Sequence, residues 1–251
     1  MLTLSRLRYF KTARHRGGHQ IHSPFLFRLI TTVIEEKKRQ PEYQTLKILR
    51  QRACESLRDS NDSNILSIFA SANIDKQKYK KLYRQLELPE RYLKLMFRLI
   101  REFKPASIVS YGPTLGVHLG AMAIANPAIK IYQTIESTEL KLFAENLLQQ
   151  SNLPNIEYLS PDSVAPEDPD LILINDPHNP QRTVESFKKH TQGSHPPQVI
   201  IVRGIHYSKE MEKIWAQIIE DKNVQITLDH YETGLVLLKK GLQKENFIHR
   251  F

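Results

Sequence analysis

The chain predicts a doubly wound α/β domain whose parallel sheet closes on an antiparallel hairpin, preceded by a basic helical region. Three observations predict it. From Pro105 onward, short β-rich runs alternate with helical stretches, the pattern of βαβ units. The last two runs lie too close together for a crossover, so they must pair antiparallel. Everything before Pro105 has helical periodicity and carries the positive charge of the chain.

The elements follow in order. Leu4, Leu7 and Phe10 recur at helical spacing among Arg6, Arg8, Lys11 and Arg14, giving a short basic amphipathic helix that Gly17 and Gly18 end. Ser23 and Pro24 supply an N-cap and a first helical position, so a helix is expected from about Pro24 to Lys38. Another runs from after Pro41 to about Arg58, and residues 59–75, rich in Ser, Asn and Asp, read as a loop around the apolar patch Ile65 to Ala70. Helices are expected near Lys76 to Leu86 and Glu90 to Phe103, the latter with Leu93, Met96, Phe97 and Ile100 on one face. The expected strands are Ser107 to Tyr111, Ile129 to Ile135, Ile156 to Ser160, Leu171 to Asn175, Gln198 to Arg203, Val224 to Tyr231 and Gly234 to Lys239. Helices between them fall at about Leu115 to Ala125, Thr138 to Gln150, Arg182 to His190 and Ser208 to Asp221. Only Glu232 and Thr233 separate the last two strands. A seven-stranded sheet, five strands parallel and the last two a hairpin, is the Rossmann-like arrangement of class I S-adenosylmethionine (SAM)-dependent methyltransferases. The expected domains are therefore a basic helical region, 1–104, and an α/β domain, 105–251.

The net charge of +9 is unevenly placed. Residues 1–104 carry 23 Lys and Arg against 10 Asp and Glu, a balance of +13, whereas residues 105–251 carry 13 against 17, a balance of −4. Such a surface attracts nucleic acid, an anionic membrane surface or an acidic substrate without choosing among them, and it equally describes solvated helix faces. The single cysteine, Cys54, excludes an internal disulfide framework and a thiolate metal cluster. No run approaches the ~20 apolar residues that span a bilayer, and the start lacks the apolar stretch of a secretory signal, so the expectation is a cytoplasmic protein.

Candidate chemistry sits at the carboxyl ends of the strands, where open α/β sheets bind ligands. The first strand leads into Gly112, Pro113, Thr114, Leu115 and Gly116 and then a helix, a turn that lets backbone approach a ligand and aims helix N-terminal amides at an anionic group. In a methyltransferase that group is the methionine carboxylate of SAM; the same turn is also compatible with a purely structural role. Glu136 ends the second strand, 20 residues after Gly116, where an acid accepts hydrogen bonds from ribose hydroxyls or merely neighbours the Ser137 helix cap. Asp162, past the third strand, is placed to approach an adenine or to be a surface acid. Asp176, His178, Arg203 and His206 follow the fourth and fifth strands and should share one cleft. Gly112, Thr114, Gly116, Glu136, Asp162 and Asp176 are thus the cofactor candidates.

The segment Val202, Arg203, Gly204, Ile205, His206, Tyr207, Ser208, Lys209, Glu210, Met211, Glu212, with Trp215, Asp229, Gly234 and the closing Phe247 to Phe251, resembles a family of class I SAM-dependent methyltransferase-like proteins common in Bacteroidetes. The stretch His19 to Phe27 is similar to that family's N-terminal His-Gly-Ile-His-Ser-Pro-Phe, and Phe97 to Gly116 aligns with its first strand and glycine turn. The resemblance spans nearly the whole chain and implies an O-methyltransferase-like activity with SAM as cofactor. It also implies that the helix from Pro24 covers the cleft, with His22 as a substrate-binding candidate. Three departures mark a divergent member. The family's Glu-Leu-Gly-Thr-Ser-Leu-Gly is here Ser110, Tyr111, Gly112, Pro113, Thr114, Leu115, Gly116; its Asp-Phe-Gly-Ala-Gly-Ser is Ser67 to Ala72; and its Asp-Asn-Ile-His is Arg203, Gly204, Ile205, His206. These changes leave the fold intact and bear on SAM affinity. Arg203 stands where related O-methyltransferases place cation ligands, and a guanidinium cannot ligate metal, so no metal is expected. Arg203 is left to bind an acidic substrate or to pair with Asp176.

The leading expectation is methyl transfer to an unknown small-molecule acceptor, an anionic one suiting Arg203, with His206 or His178 as the base that removes a proton. The rival expectations are a silent methyltransferase-like binding module, prompted by the degraded motifs, and an RNA-binding or RNA-modifying protein, prompted by the basic N-terminal region.

Overall fold

The computed structural model describes residues 9, 11–13, 16–19, 21–153, 156–160, 163, 166, 168–193, 195–239 and 241–251. The basic helix expected over the first residues therefore lies largely outside the described residues, and Asp162 lies outside them altogether.

Helices form where the caps and periodicity place them. Ser23 accepts from Leu26 N at 3.4 Å and Pro24 opens α1, Pro24–Arg28. From Leu29 to Ile34 the turn widens to a π-helix and the chain leaves it at Glu35, short of the expected Lys38. The side chain of Glu35 there accepts from Gly17 N and faces His249 Nε2, each at 2.8 Å. α2 spans Glu42–Asp59. The loop expected over 59–75 is instead helical at Ser63–Ser71, α3, because Asp62 caps it by accepting from Asn64 N at 2.7 Å. α4, Tyr79–Leu86, and α5, Glu90–Phe103, follow; the latter stops where Lys104 turns left-handed ahead of Pro105. The remaining helices are α6, Val117–Ala125; α7, Thr138–Gln149; α8, Pro180–Thr191; and α9, Lys209–Glu220.

The strands are β1, Ser107–Tyr111; β2, Lys130–Thr134; β3, Ile156–Leu159; β4, Leu171–Ile174; β5, Val199–Arg203; β6, Ile226–Asp229; β7, Thr233–Leu237; and β8, Glu245–Ile248. They form one mixed sheet in the order β3-β2-β1-β4-β5-β7-β6-β8. The expected hairpin is present: β7 pairs antiparallel with both β5 and β6. Its loop is His230, Tyr231 and Glu232, with Tyr231 at φ 72 and Glu232 O accepting from Gly204 N. The seven-stranded expectation is short by one, since the closing segment adds β8 parallel to β6. A four-residue run ending a chain carries too little pattern to separate from a tail.

The residues divide into two compact units, each with its own core. One comprises residues up to Lys37, Ser107–Tyr111 and Ala165–Phe251. Its β4 and β5 are buried at every position, as continuous apolar runs in a parallel sheet require, and each large aliphatic side chain so buried contributes about 1.5–3 kcal/mol. Trp215 of α9 lies across Gly234 of β7, where an added Cβ would sit 2.4 Å from the indole. The other unit comprises Lys38–Ala106 and Gly112–Val164. Its α2 and α5 pack on α6, so the basic helices share a unit with the glycine turn.

Gly234→Ala is expected to cost about 1–3 kcal/mol by forcing the rigid indole to shift. Urea unfolding measures it; an unchanged midpoint would show that Trp215 does not pack as described.

Candidate functional site

In the second unit the chain leaves β1 through Gly112, at φ 101, and Gly116, at φ 92, both in the region that favours glycine. Gly116 also has a packing reason, since a Cβ there would lie 3.1 Å from that of Ala144 on α7. The turn holds a carboxylate, and it is the protein's own. Glu87, fully buried in the Glu87-Leu88-Pro89 link between α4 and α5, accepts through Oε1 from Thr114 Oγ1 at 2.9 Å, Leu115 N at 2.8 Å and Val117 N at 3.1 Å. Through Oε2 it accepts from His118 N at 3.0 Å and faces His118 Nδ1 at 2.8 Å. A carboxylate only accepts, so Nδ1 carries the proton. The last turn amide, Gly116 N, donates to Thr114 Oγ1 at 2.7 Å. Burial alone would push the Glu87 carboxyl up; the charge and hydrogen bond of His118, then the donors of Thr114 and Leu115, outweigh it and hold the pKa below its ordinary value. The anion expected from a ligand at this helix N-terminus is thus supplied from within. The amides of Leu115, Val117 and His118 and the hydroxyl of Thr114 are taken.

Beside this turn Gln133 of β2 donates through Nε2 to Gly112 O at 2.7 Å and to Thr134 O at 2.8 Å. Its Oε1 is buried with no hydrogen-bond partner among the described residues. Three residues on, Glu136 lies exposed two residues past the end of β2, ahead of the Ser137 cap of α7.

In the first unit the ends of β4 and β5 meet. Ile174 and Val202 are register partners, and a Cβ on Gly204 would lie 2.3 Å from that of Pro177. Arg203, buried, donates to Asn175 Oδ1 at 2.9 Å, and Asp176, buried, accepts from Arg182 at 3.0 Å. Neither of these partners, Asn175 nor Arg182, was expected from sequence. His178 is exposed and packs edge-on against the exposed Tyr207, ring centroids 4.5 Å apart. Partial burial, then the positive charge of Arg203, lowers the His178 pKa from its ordinary value and so favours the neutral ring.

His206 is built differently. Its Nε2 faces Asp229 Oδ2 at 2.7 Å and its Nδ1 faces Glu212 Oε1 at 3.2 Å. Tyr231 stacks on the ring, and Tyr9, whose hydroxyl donates to the carbonyl of His249, lies against the ring of Tyr231. Burial alone would lower the His206 pKa; the hydrogen bonds and charges of Asp229 and then Glu212 outweigh it and raise it. A carboxylate at each nitrogen favours the charged ring and makes it a poorer proton acceptor than a free imidazole. His22 is exposed just ahead of the Ser23 cap. Sequence reasoning missed Glu87, Asp229 as a histidine partner, and Tyr207. An acid set between Leu86, Leu88 and Pro89 is the one local signal that marks Glu87.

No protein-family model matches the chain, and no curated protein matches it significantly. Solved structures do resemble it. A Podospora anserina methyltransferase, PaMTH1, bound to S-adenosylhomocysteine (SAH) is 12% identical with a TM-score of 0.55, covering 82% of this chain and 99% of its own. The O-methyltransferase TomG from Streptomyces achromogenes, in complex with SAM, is 14% identical with a TM-score of 0.52, covering 80% and 100%. A Bacillus cereus O-methyltransferase in complex with SAH is 15% identical with a TM-score of 0.51, covering 78% and 99%. The fold is that of class I SAM-dependent methyltransferases.

Two outcomes follow from these environments. The Glu87 pKa is depressed by folding, so the stability it supplies is present above the unfolded carboxylate value of about 4.3 and is lost as pH falls below that. Glu87→Ala should flatten this acid limb and cost about 3–5 kcal/mol at pH 7 in urea unfolding, since the donors it leaves are buried; wild-type stability would show that the buried carboxylate does not hold the turn. For His206 the raised pKa places the stabilising charged form below its folded pKa. Asp229→Asn should shift the imidazole proton resonance titration to lower pH, and an unmoved titration would contradict the assigned cause.

Proposed function

We propose that this chain is a SAM-dependent methyltransferase of the O-methyltransferase type, a divergent relative of the Bacteroidetes family that its motifs resemble. The observation that carries the reading is His178: a neutral, exposed imidazole at the carboxyl end of β4, on a fold whose solved neighbours include SAM- and SAH-bound enzymes. A base for a hydroxyl acceptor must be unprotonated and reachable at working pH, and of the two candidate histidines only this one is both. When bound, SAM supplies an already activated methyl group. His178 takes the acceptor proton, and the Arg203 guanidinium, held by Asn175, orients an anionic acceptor. His206 keeps the Ile205–Ser208 segment in place through Asp229 and Glu212 rather than reacting.

The donor's ribose end fits the second unit: Glu136 offers an exposed carboxylate just past β2, and Gly112 lets backbone come close. The end that bears the amino-acid carboxylate does not fit the helix N-terminus, which Glu87 fills. That occupation favours a second reading, an adenosyl-binding protein without turnover. The exposed Lys78, Lys80, Lys81 and Arg84 support an anionic partner such as RNA for the basic N-terminal region, residues 1–104.

Titration calorimetry with SAH, followed by transfer of labelled methyl from SAM to a panel of phenols, catechols and hydroxy acids, tests the reading. The expected result is SAH binding and a transfer rate that His178→Asn lowers by roughly 10²–10⁴ with SAH affinity unchanged. Binding with no acceptor methylated would favour the silent reading, and no heat with millimolar SAH would end both.

A further inference from the structure

We propose that Glu87 is a resident occupant of the anion seat at the glycine turn, so that this chain recognises an adenosyl thioether without reading its carboxylate. This rests on the adenosyl-binding reading above and adds the chemical class of ligand: adenosine carrying a sulfur-linked chain, indifferent to a carboxylate at its far end.

The first helix of a doubly wound domain offers bare amides at its N-terminus, and a ligand's anionic group is drawn to them. Here the donors at the start of the helix are taken. Leu115 N, Val117 N and His118 N, the Thr114 hydroxyl and the His118 ring all end on the two oxygens of Glu87, and Gly116 N ends on Thr114. A second carboxylate at the same amides would set two like charges in a buried place, which costs far more than the same approach in water. Nor can Glu87 swing aside. Its neighbours Leu86 and Leu88 are 9% and 1% exposed, and α4 ends and α5 begins within three residues on either side, so moving the carboxylate means unpacking both helices. In a turn open to ligand, several charge-assisted bonds to a carboxylate raise affinity by roughly tenfold or more. This turn gives that affinity to its own side chain.

Calorimetry on the full-length wild-type chain compares SAH with decarboxylated SAH, which keeps the adenosine, thioether and amine and lacks only the carboxylate. The expected result is binding of both, with SAH no more than about fivefold tighter. SAH binding tighter than that overturns the proposal and leaves the adenosyl-binding reading standing; failure of both ligands to bind removes that reading, and the proposal with it. In Glu87→Ala, checked for its fold by circular dichroism, the freed amides should raise the preference for SAH above fivefold, and an unchanged preference in the folded variant overturns the role of Glu87. Should that variant not fold, the wild-type ratio decides.

Discussion

The chemistry of the second unit depends on one buried carboxylate. Glu87 lies out of water with an ionised group, a state that costs several kcal/mol unless fully compensated, and here backbone amides, a hydroxyl and an imidazole compensate it. Because the bonds join the link between α4 and α5 to the start of α6, the same interaction fixes how the basic helices meet the glycine turn. The negative charge also stands at the positive end of the α6 dipole, a placement that helix electrostatics favours. A ligand approaching this turn meets a site whose electrostatic demand is already satisfied.

The first unit shows how environment assigns roles to chemically equal groups. His178 and His206 lie at the ends of neighbouring strands, yet one faces solvent and a guanidinium while the other is clasped by two carboxylates. Their pKa values are pushed in opposite directions, which favours the neutral ring at His178 and the charged ring at His206. Arg203 is a charge that disfavours protonation of His178 and a positive group that Asn175 holds at the end of β5.

Much of the fold is legible in the sequence because it rests on local pattern. Leu171–Ile174 and 199–202 are uninterrupted apolar runs of strand length, Ser23-Pro24 and Ser137 are helix starts, and the short spacing before Gly234 leaves only a hairpin. The errors arise where local chemistry has two uses. Asp62 and the Ser and Asn residues around it belong equally to loops and to helix caps, and the helix Ser63–Ser71 won because its Ile68 and Phe69 found a core. Strand β8 exists through its pairing with β6 and has little pattern of its own. The site was half legible. Strand ends mark Asp176, His178, Arg203 and His206 as candidates, but two decisive pairings join distant parts of the chain: Asp229 lies 23 residues from His206, and Glu87 lies 28 from Leu115. No periodicity reports such pairs.

The most direct measurement is a crystal structure of the chain grown with SAH. The account predicts the Glu87 carboxylate still within hydrogen-bond distance of the Leu115, Val117 and His118 amides, with the ligand's carboxylate directed elsewhere. Density showing the ligand's carboxylate on those three amides, and Glu87 turned out of the turn, would contradict it.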